Sequence, residues 1–590
     1  MKRAYCLDID DGIYKLGDLN MMLSNTETRS YPAPDPTDPA KPFFTGKIAL
    51  DVEVNDETRP FLLYLPQRFP ISGAGLFLYP DDGMTCEAFL ESENWISIAE
   101  KRNIALIILE PRASGWSRED IQSEVSYSEA VFKKAISRVY FSLNEATYYI
   151  MGIGAGAYAA AAHGLLSSTL FSCILADGDY QLAPELYEQL GQIRSDRDIT
   201  QSKLDVTMPA WLVSRSDMSD DPVLEGLKKA SRTEDRGLKA QHADVFQQNA
   251  KLVHSSLDEL PISEVWHTDA AAAAGLDPVE LHTEMVDFAL RFKRWLAIGN
   301  GCFRAARTYE DMKFRRFEAV IDDRKREWHV YEPTAHRKDP NKKLPAVVAI
   351  HGYSCTGPMF AENCEWHMVG ERRDFFVLYL SAYPSNLAFG KKTVPLPTWN
   401  SFGMDAETDD LKYLRVVLED FQSRYPIDPE RIYVSGHSNG SLFTQSIMAE
   451  MPLPFAAFAP QGAQMHLSVT GADDVDDRTI PQDGIIRPVW LMMGGEDLGC
   501  ADRIEPGNAN DKFIELMCRV NGLDRSKGQY LENGKYHTHT FASEAGVPLL
   551  KFSGIEDTPH TYTQEFAQIY WDQFLCHFRR KAVGSIEYTL

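Results

Sequence analysis

The sequence signal is strongest at Arg431-Ile-Tyr-Val-Ser-Gly436-His-Ser438-Asn-Gly440-Ser-Leu-Phe-Thr-Gln-Ser-Ile-Met448. Its first part favours a β-strand and its second part favours a helix, so Gly-x-Ser-x-Gly lies at a strand-to-helix junction. The glycines let strand and helix approach closely, and the tight turn between them exposes the hydroxyl of Ser438. The same turn aims the backbone N–H of Asn439 at the same point. The stretch therefore predicts a nucleophilic serine at the edge of a sheet.

Length and charge set the broad class. A chain of 590 residues exceeds the usual limit of about 250–300 residues for a single core, so two folded units are expected. The apolar fraction of 44% suits ordinary globular domains. A net charge of −25 argues against nucleic acid or an anionic membrane surface as a partner.

The N-terminal residues and the cysteines bear on location. Met1 to Gly12 lacks the apolar core of a signal peptide, and no run of about 18 apolar residues occurs, so we expect a cytoplasmic protein that does not enter a membrane. Nine cysteines are scattered without Cys-x-x-Cys spacing. This pattern fits a reducing compartment and disfavours a zinc site, and we expect no cofactor and no metal.

Two halves of the chain repeat one plan. Buried strands and strand-loop segments recur in the same order. The pairs are Arg59–Pro66 with Arg326–Pro333, Gly75–Gly83 with Ala346–Gly352, Ile104–Leu109 with Phe375–Leu380, Tyr148–Gly156 with the strand and turn ending at Gly440, Pro209–Asp217 with Pro488–Asp497, and His282–Leu296 with His560–Leu575. We predict an extended Pro-rich leader at 1–44, a first domain at 45–305 and a second domain at 306–590.

The fold class follows from this alternation. Continuously apolar strands between amphipathic helices predict a mostly parallel sheet flanked by helices in each half, that is, two α/β domains in tandem. A helix starting at Asp409 should pack on the second sheet. The charged segment from about Asp220 to Leu257 reads as helical. Residues 383–399 and 461–487 read as cap loops near the site.

The two halves differ at the turn. The first copy has Gly154 where the second has Ser438, so it carries no nucleophile there. Gly152-Ile-Gly154-Ala-Gly156 could instead be a dinucleotide loop, but the third glycine of that pattern is missing because residue 157 is alanine. We expect a domain that lacks the chemistry of its neighbour.

A serine nucleophile needs a base and a carboxylate that orients the base. Asp497, just past a predicted strand, is the expected acid, with Glu496 as the alternative. His560, between the last predicted strand and the C-terminal helix, is the expected base. His537 and His539 alternate in a predicted strand and could be ordinary strand residues or could line the cleft.

The developing negative charge needs backbone donors. Asn439 N–H should supply one and Tyr353 N–H the other, from the loop after the strand that ends at Ile350. Candidate substrate contacts are His351, Trp399, His437 and Tyr536. Bracing of the loop is the alternative for His351, and core packing is the alternative for the aromatic residues.

Three of these motifs together resemble those of a known family. His351-Gly352, the turn at Ser438 and Pro559-His560-Thr561 together resemble the α/β-hydrolase esterase group that contains polyhydroxybutyrate depolymerases and feruloyl esterases. The resemblance covers roughly Phe317 to Arg580, and the chain departs from it in having Ser441 where a third glycine is common. It implies hydrolysis of carboxylic esters through an acyl-enzyme, with small soluble hydroxyacyl or aromatic acyl esters as substrates.

Two other functions stay open at this point. A serine peptidase of the prolyl-oligopeptidase kind uses the same triad beside a large partner domain. Such partners show repeated four-stranded blades, however, whereas here the partner repeats the hydrolase plan. The chain could also be a non-catalytic binding protein, which the retention of serine, acid and histidine in one copy disfavours.

Overall fold

The computed structural model describes residues 33–193, 202–216, 220–240, 242–248, 262–294, 303–305, 310, 312–386, 393–403, 408–466, 479–495, 497, 503–581 and 584–589. Contacts divide these residues into two compact units. The first unit holds residues 41–305, and the second holds residues 310–589 together with the short segment 33–40.

The first unit contains twelve strands among its described residues. They are β1 Gly46–Val54, β2 Glu57–Leu65, β3 Gly73–Tyr79, β4 Ala105–Leu109, β5 Leu143–Gly154, β6 Cys173–Gly178, β7 Ala210–Val213, β8 Thr233–Lys239, β9 Asp244–Gln248, β10 Glu264–Thr268, β11 Phe292–Arg294 and β12 Phe303–Ala305. Its helices are Cys86–Ser92, Trp95–Arg102, Ile121–Ala135, Gly156–Leu166, Pro184–Gln192, Pro222–Ala230, Ala270–Ala273 and Pro278–Ala289.

The second unit has a similar inventory, with one extra two-stranded ribbon. The strands are β13 Phe314–Ile321, β14 Arg324–Tyr331, β15 Leu344–Ile350, β16 Phe376–Leu380, β17 Pro384–Ser385, β18 Leu396–Pro397, β19 Ile427–His437, β20 Ala457–Gln461, β21 Val489–Gly494, β22 Gln529–Asn533, β23 Tyr536–Ala542, β24 Pro548–Ile555, β25 Phe578–Arg580 and β26 Ile586–Tyr588. The helices are Thr334–Lys338, Gly357–Cys364, Trp366–Arg373, Asp410–Arg424, Asn439–Glu450, Ala509–Val520 and Gln564–Gln573.

The two main sheets have the same strand order. The first runs β1-β2-β4-β3-β5-β6-β7-β10-β9-β8 and the second β13-β14-β16-β15-β19-β20-β21-β24-β23-β22. In each sheet the six strands from β4 to β10, or from β16 to β24, are parallel, and antiparallel strands lie outside them on both sides. Buried apolar clusters cover both faces of both sheets. The prediction of two α/β domains in tandem is confirmed.

Matching side-chain contacts reinforce the repeat. Arg326, on β14, bonds to Asp410 at 2.6 Å, and its guanidinium lies 3.7 Å from the ring centre of Tyr413. At the matching place on β2, Arg59 bonds to Glu124 at 2.7 Å and lies 3.6 Å from the ring centre of Tyr127. Each tyrosine hydroxyl then donates to the carbonyl of the residue that follows the arginine. A buried, fully enclosed cation of this kind is held by its carboxylate and ring together.

The closing hairpin of each unit, β11–β12 in the first and β25–β26 in the second, makes matching contacts as well. Tyr149 donates to the carbonyl of Phe292 at 2.8 Å, and Tyr433 donates to the carbonyl of Phe578 at the same distance. Arg294 and Arg580, one in each hairpin, donate to carbonyls at the equivalent sheet edge. The last strands of each unit are therefore tied to the central strand of its sheet.

The charged segment from Asp220 departs from the prediction. The helix Pro222–Ala230 forms, but it ends before Arg232, whose φ is +52°, and β8 and β9 follow. The prediction of a helix was thus wrong beyond Ala230 in the described part. The charges of β8 belong to an exposed edge strand, where they discourage pairing with other chains.

The leader also differs from the expectation of an extended arm. Pro34 is buried in the second unit, and its carbonyl accepts from the hydroxyl of Tyr383. The backbone N–H of Lys325 donates to the carbonyl of Pro36 at 2.8 Å. The described end of the leader, residues 33–40, is therefore part of the second unit.

The helix Asp410–Arg424 packs as predicted, with its apolar stripe buried against the sheet. Of the predicted cap loops, 383–399 forms the small ribbon of β17 and β18, while residues 387–392 lie outside the described residues. Much of 461–487 also lies outside them.

Candidate active site

The turn at Ser438 has the strained geometry that the sequence predicts. Ser438 has φ +55° and ψ −119°, a conformation that side chains rarely adopt, between β19 and the helix Asn439–Glu450. A Cβ at Gly436 would lie 2.1 Å from the carbonyl oxygen of Gly440. A Cβ at Gly440 would lie 2.4 Å from the carbonyl oxygens of Ile350 and His351. Both glycines are therefore required by close backbone approach.

A histidine and a carboxylate meet at the neighbouring strand ends. His560, between β24 and the helix Gln564–Gln573, donates from Nδ1 to Asp497 Oδ1 at 2.5 Å. The other carboxylate oxygen of Asp497 accepts from the backbone N–H of Gly494. Burial raises the pKa of the Asp497 carboxyl, against the opposing effect of the His560 hydrogen bond. Glu496, the alternative acid, lies outside the described residues.

The histidine lies next to the residue that precedes the serine. The ring of His437, next to Ser438, lies 4.7 Å from the ring of His560, centre to centre. A Cβ at Gly462 would lie within 3.4 Å of both rings. Among the described residues the Ser438 hydroxyl makes no hydrogen bond. In structures without substrate, the hydrogen bond between a nucleophile and its base is often long and shortens only when substrate binds.

Backbone donors lie on two sides of the serine. Asn439 opens a helix, so its N–H has no acceptor within that helix. Its side chain is occupied by the backbone of Trp399, accepting at 2.7 Å. A Cβ at Gly352 would lie 3.3 Å from Ser438 Cβ, so the loop that carries Tyr353 passes directly beside the serine.

Two residues predicted to contact substrate, His351 and Trp399, are instead buried and hydrogen-bonded within the protein. His351 is fully buried, donates from Nδ1 to the carbonyl of Gly352 at 2.6 Å, and accepts from Ala382 N at Nε2 at 2.9 Å. Burial lowers its pKa to about 4. Trp399 is also fully buried and donates from Nε1 to the carbonyl of His351. Neither side chain can reach a substrate, because both are enclosed and their polar atoms are used.

His437 is held beside the candidate base. Its Nδ1 lies 2.5 Å from Gln461 Oε1, which fixes the ring, and burial together with the neighbouring His560 lowers its pKa to about 3. His437 is therefore neutral at physiological pH. Its ring therefore lies next to His560 without carrying a charge.

Tyr536 is bound by a carboxylate. Its hydroxyl donates to Glu565 at 2.6 Å, and within the described residues no hydrogen bond or ring contact joins it to Ser438 or His560. Its role as a substrate contact stays a prediction.

In the first unit a carboxylate occupies the place that matches the Ser438 side chain. Gly154 has φ +58°, and a Cβ there would lie 2.2 Å from the carboxyl carbon of Asp81. Ala155 N–H, the counterpart of Asn439 N–H, donates to Asp81 Oδ1 at 2.7 Å. The carboxylate of Asp81 therefore fills the space of a serine side chain and takes the donor beside it.

The first unit also has no histidine in the position of His560. His282 lies inside the helix Pro278–Ala289, which Asp277 and Pro278 start early, and it is buried between Asp177 at 2.9 Å and Glu93 at 2.7 Å. Asp217, the counterpart of Asp497, lies outside the described residues.

Sequence reasoning missed the polar residues beside the two turns. Gln461 ends β20 and Asp81 follows β3, both buried parallel strands, where polar side chains usually serve a site. Aligning the two copies would have exposed Asp81, because the second copy has His-Gly at that loop.

Comparisons with known proteins relate parts of the chain to esterases. No family model matches the chain. It is 28% identical over 147 residues to a bifunctional acetylxylan esterase/xylanase of Neocallimastix patriciarum, which covers 24% of this chain and 19% of that protein. It is 24% identical over 235 residues to poly(3-hydroxyalkanoate) depolymerase C of Paucimonas lemoignei, covering 37% of this chain and 54% of that protein.

Among solved structures, acetyl xylan esterase from Aspergillus awamori is 15% identical, with a TM-score of 0.31, over 44% of this chain and 98% of that one. The chain spans about half or less of the length of the two curated relatives. Parts of the chain are thus similar in sequence to named esterases and to a depolymerase, and the predicted resemblance to that group is confirmed.

None of the helices in the described ranges is both long and apolar enough to cross a bilayer. The cytoplasmic location stays a prediction.

Proposed function

We propose that the second unit is a serine hydrolase that cleaves carboxylic esters through an acyl-enzyme. The observation that carries the proposal is the strained turn of Ser438 beside a histidine that is bonded to a buried carboxylate. Such a turn costs about 1–3 kcal/mol and persists in proteins where function requires it. The relationship to named esterases supports the same chemistry.

In the proposed reaction Ser438 Oγ attacks the ester carbonyl while His560 Nε2 takes the hydroxyl proton. Asp497 holds Nδ1 of His560, so that Nε2 faces the serine and the imidazolium that forms is stabilised. The oxyanion is bound by Asn439 N–H and Tyr353 N–H, each contributing about 3 kcal/mol to the transition state.

The second half of the cycle reverses these roles. His560 returns its proton to the departing alcohol, and the acyl group stays on Ser438. Water then attacks the acyl-enzyme with His560 again acting as the base, which releases the acid and restores the serine hydroxyl.

The substrate class follows from the relatives and the sequence resemblance. The curated relatives are named for acetylxylan and for poly(3-hydroxyalkanoate), so we propose short acyl and hydroxyacyl esters as substrates. Aromatic acyl esters, which the resemblance to feruloyl esterases implies, belong to the same proposal.

The first unit has no hydrolytic role in this proposal. Glycine replaces the nucleophile, and Asp81 takes the donor that would bind an oxyanion. Its contribution is therefore structural.

A panel of substrates tests the assignment. We expect turnover of p-nitrophenyl acetate, p-nitrophenyl butyrate or a feruloyl ester, and none of a proline anilide. Ser438→Ala should lower kcat at least about 1000-fold, whereas Ser423→Ala, an exposed serine, should not change it. Cleavage of the anilide alone would favour a peptidase, and full activity of Ser438→Ala would refute the nucleophile.

A further inference from the structure

A buried tyrosine joins the loop of His560 to the strand of Ser438. Tyr562 follows His560 by two residues and is 2% exposed. Its hydroxyl lies 2.9 Å from the hydroxyl of Ser435, on β19, and accepts from Trp366 Nε1 at 3.1 Å. Ser435 in turn donates to the carbonyl of Ala459 at 3.0 Å.

The directions of these hydrogen bonds are determined. Indole N–H can only donate, and the Ser435 proton is used on a carbonyl, so the Tyr562 hydroxyl must donate to Ser435. Each polar group of this link has a partner and all three side chains are buried, which makes the link rigid. The same ring packs edge-on against His437 at 6.1 Å and against Phe360 at 5.3 Å.

The first unit offers a natural comparison. Trp95 opens a helix as Trp366 does, but Met151 stands where β19 has Ser435, and the ring of His282 stacks on Trp95 at 5.7 Å. Within the described residues Trp95 Nε1 is buried without a partner. Among the described residues the tryptophan opens a helix in both units, whereas a tyrosine that joins it to a serine is found in the second unit alone.

We infer that Tyr562 is a positioning residue that sets the distance between His560 and Ser438 through its bond to Ser435. The inference rests on the proposed hydrolase function and deepens it. Because His560 sits on a loop, its ring needs a second anchor besides Asp497 to stay within reach of the serine.

The test compares three single variants and one double variant of the full chain in ester hydrolysis. Tyr562→Phe and Ser435→Ala should each lower kcat about tenfold with KM within about twofold. The double variant should lose no more than either alone, because one bond is removed in each case. Tyr433→Phe is the matched control: it removes a buried hydroxyl bond on the same strand but at the closing hairpin, and it should keep kcat.

A purely structural role predicts a different result. In that case Tyr562→Phe and Tyr433→Phe would lower the unfolding temperature alike and leave kcat unchanged, which would overturn the inference. The rate of Ser438 labelling by a fluorophosphonate should follow kcat across the variants.

Ser438→Ala, assayed in parallel, reports on the proposed function itself: if it keeps full activity, that function fails, whatever Tyr562→Phe does. A wild-type chain that neither hydrolyses esters nor takes the label would overturn both.

Discussion

Gly440 is the point where the helix of the serine turn comes closest to its neighbour strand. A methyl group there would lie 2.4 Å from two backbone carbonyl oxygens, and backbone cannot yield as a flexible side chain does. A glycine is therefore required here, because the helix lies against the end of β15 and against the loop that carries the proposed oxyanion donor Tyr353.

Gly440→Ala should therefore destabilise the second unit by about 1–3 kcal/mol and lower kcat at least about tenfold. The physical reason is displacement of the loop at His351 and Gly352. Gly275→Ala, where a Cβ meets nothing within 4 Å, is the control and should change neither quantity. Thermal unfolding and kcat measure the two effects, and a wild-type kcat in Gly440→Ala would contradict the close packing.

His351 makes the second unit sensitive to acid. Its pKa is about 4 in the folded protein and about 6.5 in an unfolded chain, so the unfolded state binds more protons between these values. Its contribution is complete above about pH 6.5 and is lost as pH falls through about 4, an effect of roughly 3 kcal/mol. The free energy of unfolding of His351→Gln should thus fall less between pH 7 and pH 4.5 than that of the wild type. Equal losses in denaturant unfolding would refute this.

At the level of elements, the same buried ion pair recurs at the second strand of each sheet. Arg326 and Asp410 are both buried, so removal of one partner leaves a charge without compensation. The pair ties β14 to the helix Asp410–Arg424, whose N-terminal end lies beside the backbone of Asn400.

Arg326→Met should lower the free energy of unfolding by about 3–5 kcal/mol, and adding Asp410→Leu should restore part of the loss. Arg316→Met, which removes an exposed ion pair on β13, should cost at most about 1 kcal/mol. Denaturant titration, following the unfolding of the second unit, gives these values. An equal cost for the two single variants would contradict the role of the buried pair.

The sequence was sufficient for most elements, because buried parallel strands leave continuous apolar runs such as Leu344–Ile350. It was insufficient where tertiary pairing decides the structure. The charges of β8 suit a helix or an edge strand equally, and only the pairing with β9 selects the strand.

The candidate site shows the same division. Ser438, Asp497 and His560 are predicted from motif and chain order; the structure pairs Asp497 with His560 and places the His560 ring 4.7 Å from that of His437, next to Ser438. The support roles of His351 and Trp399 depend on which side chains are enclosed, which no local pattern reveals. Tyr562 and Asp81 act through partners more than 70 residues away in sequence.

At the level of the whole chain, two units share one topology and only one carries a serine at the turn. In the first unit the change from serine to glycine is accompanied by Asp81, which accepts the hydrogen bond of Ala155 N–H. In the first unit, glycine at the turn therefore coincides with a carboxylate in the space beside it.

Gly154→Ser should consequently add no hydrolytic activity to a chain that also carries Ser438→Ala. The new side chain would meet the carboxylate of Asp81 at about 2.2 Å, and no oxyanion donor would be free beside it. Ester hydrolysis by purified double variant is the measurement, with Ser438→Ala as the baseline. Activity above that baseline would show that the first unit is competent.

The most direct test of the account is covalent labelling of the full chain with a fluorophosphonate, followed by intact mass and peptide mapping. We predict one label per chain, on Ser438, with labelling abolished in Ser438→Ala and strongly slowed in His560→Gln. A label on any other serine, two labels per chain, or no reaction at all would contradict the proposal that Ser438 is an activated nucleophile.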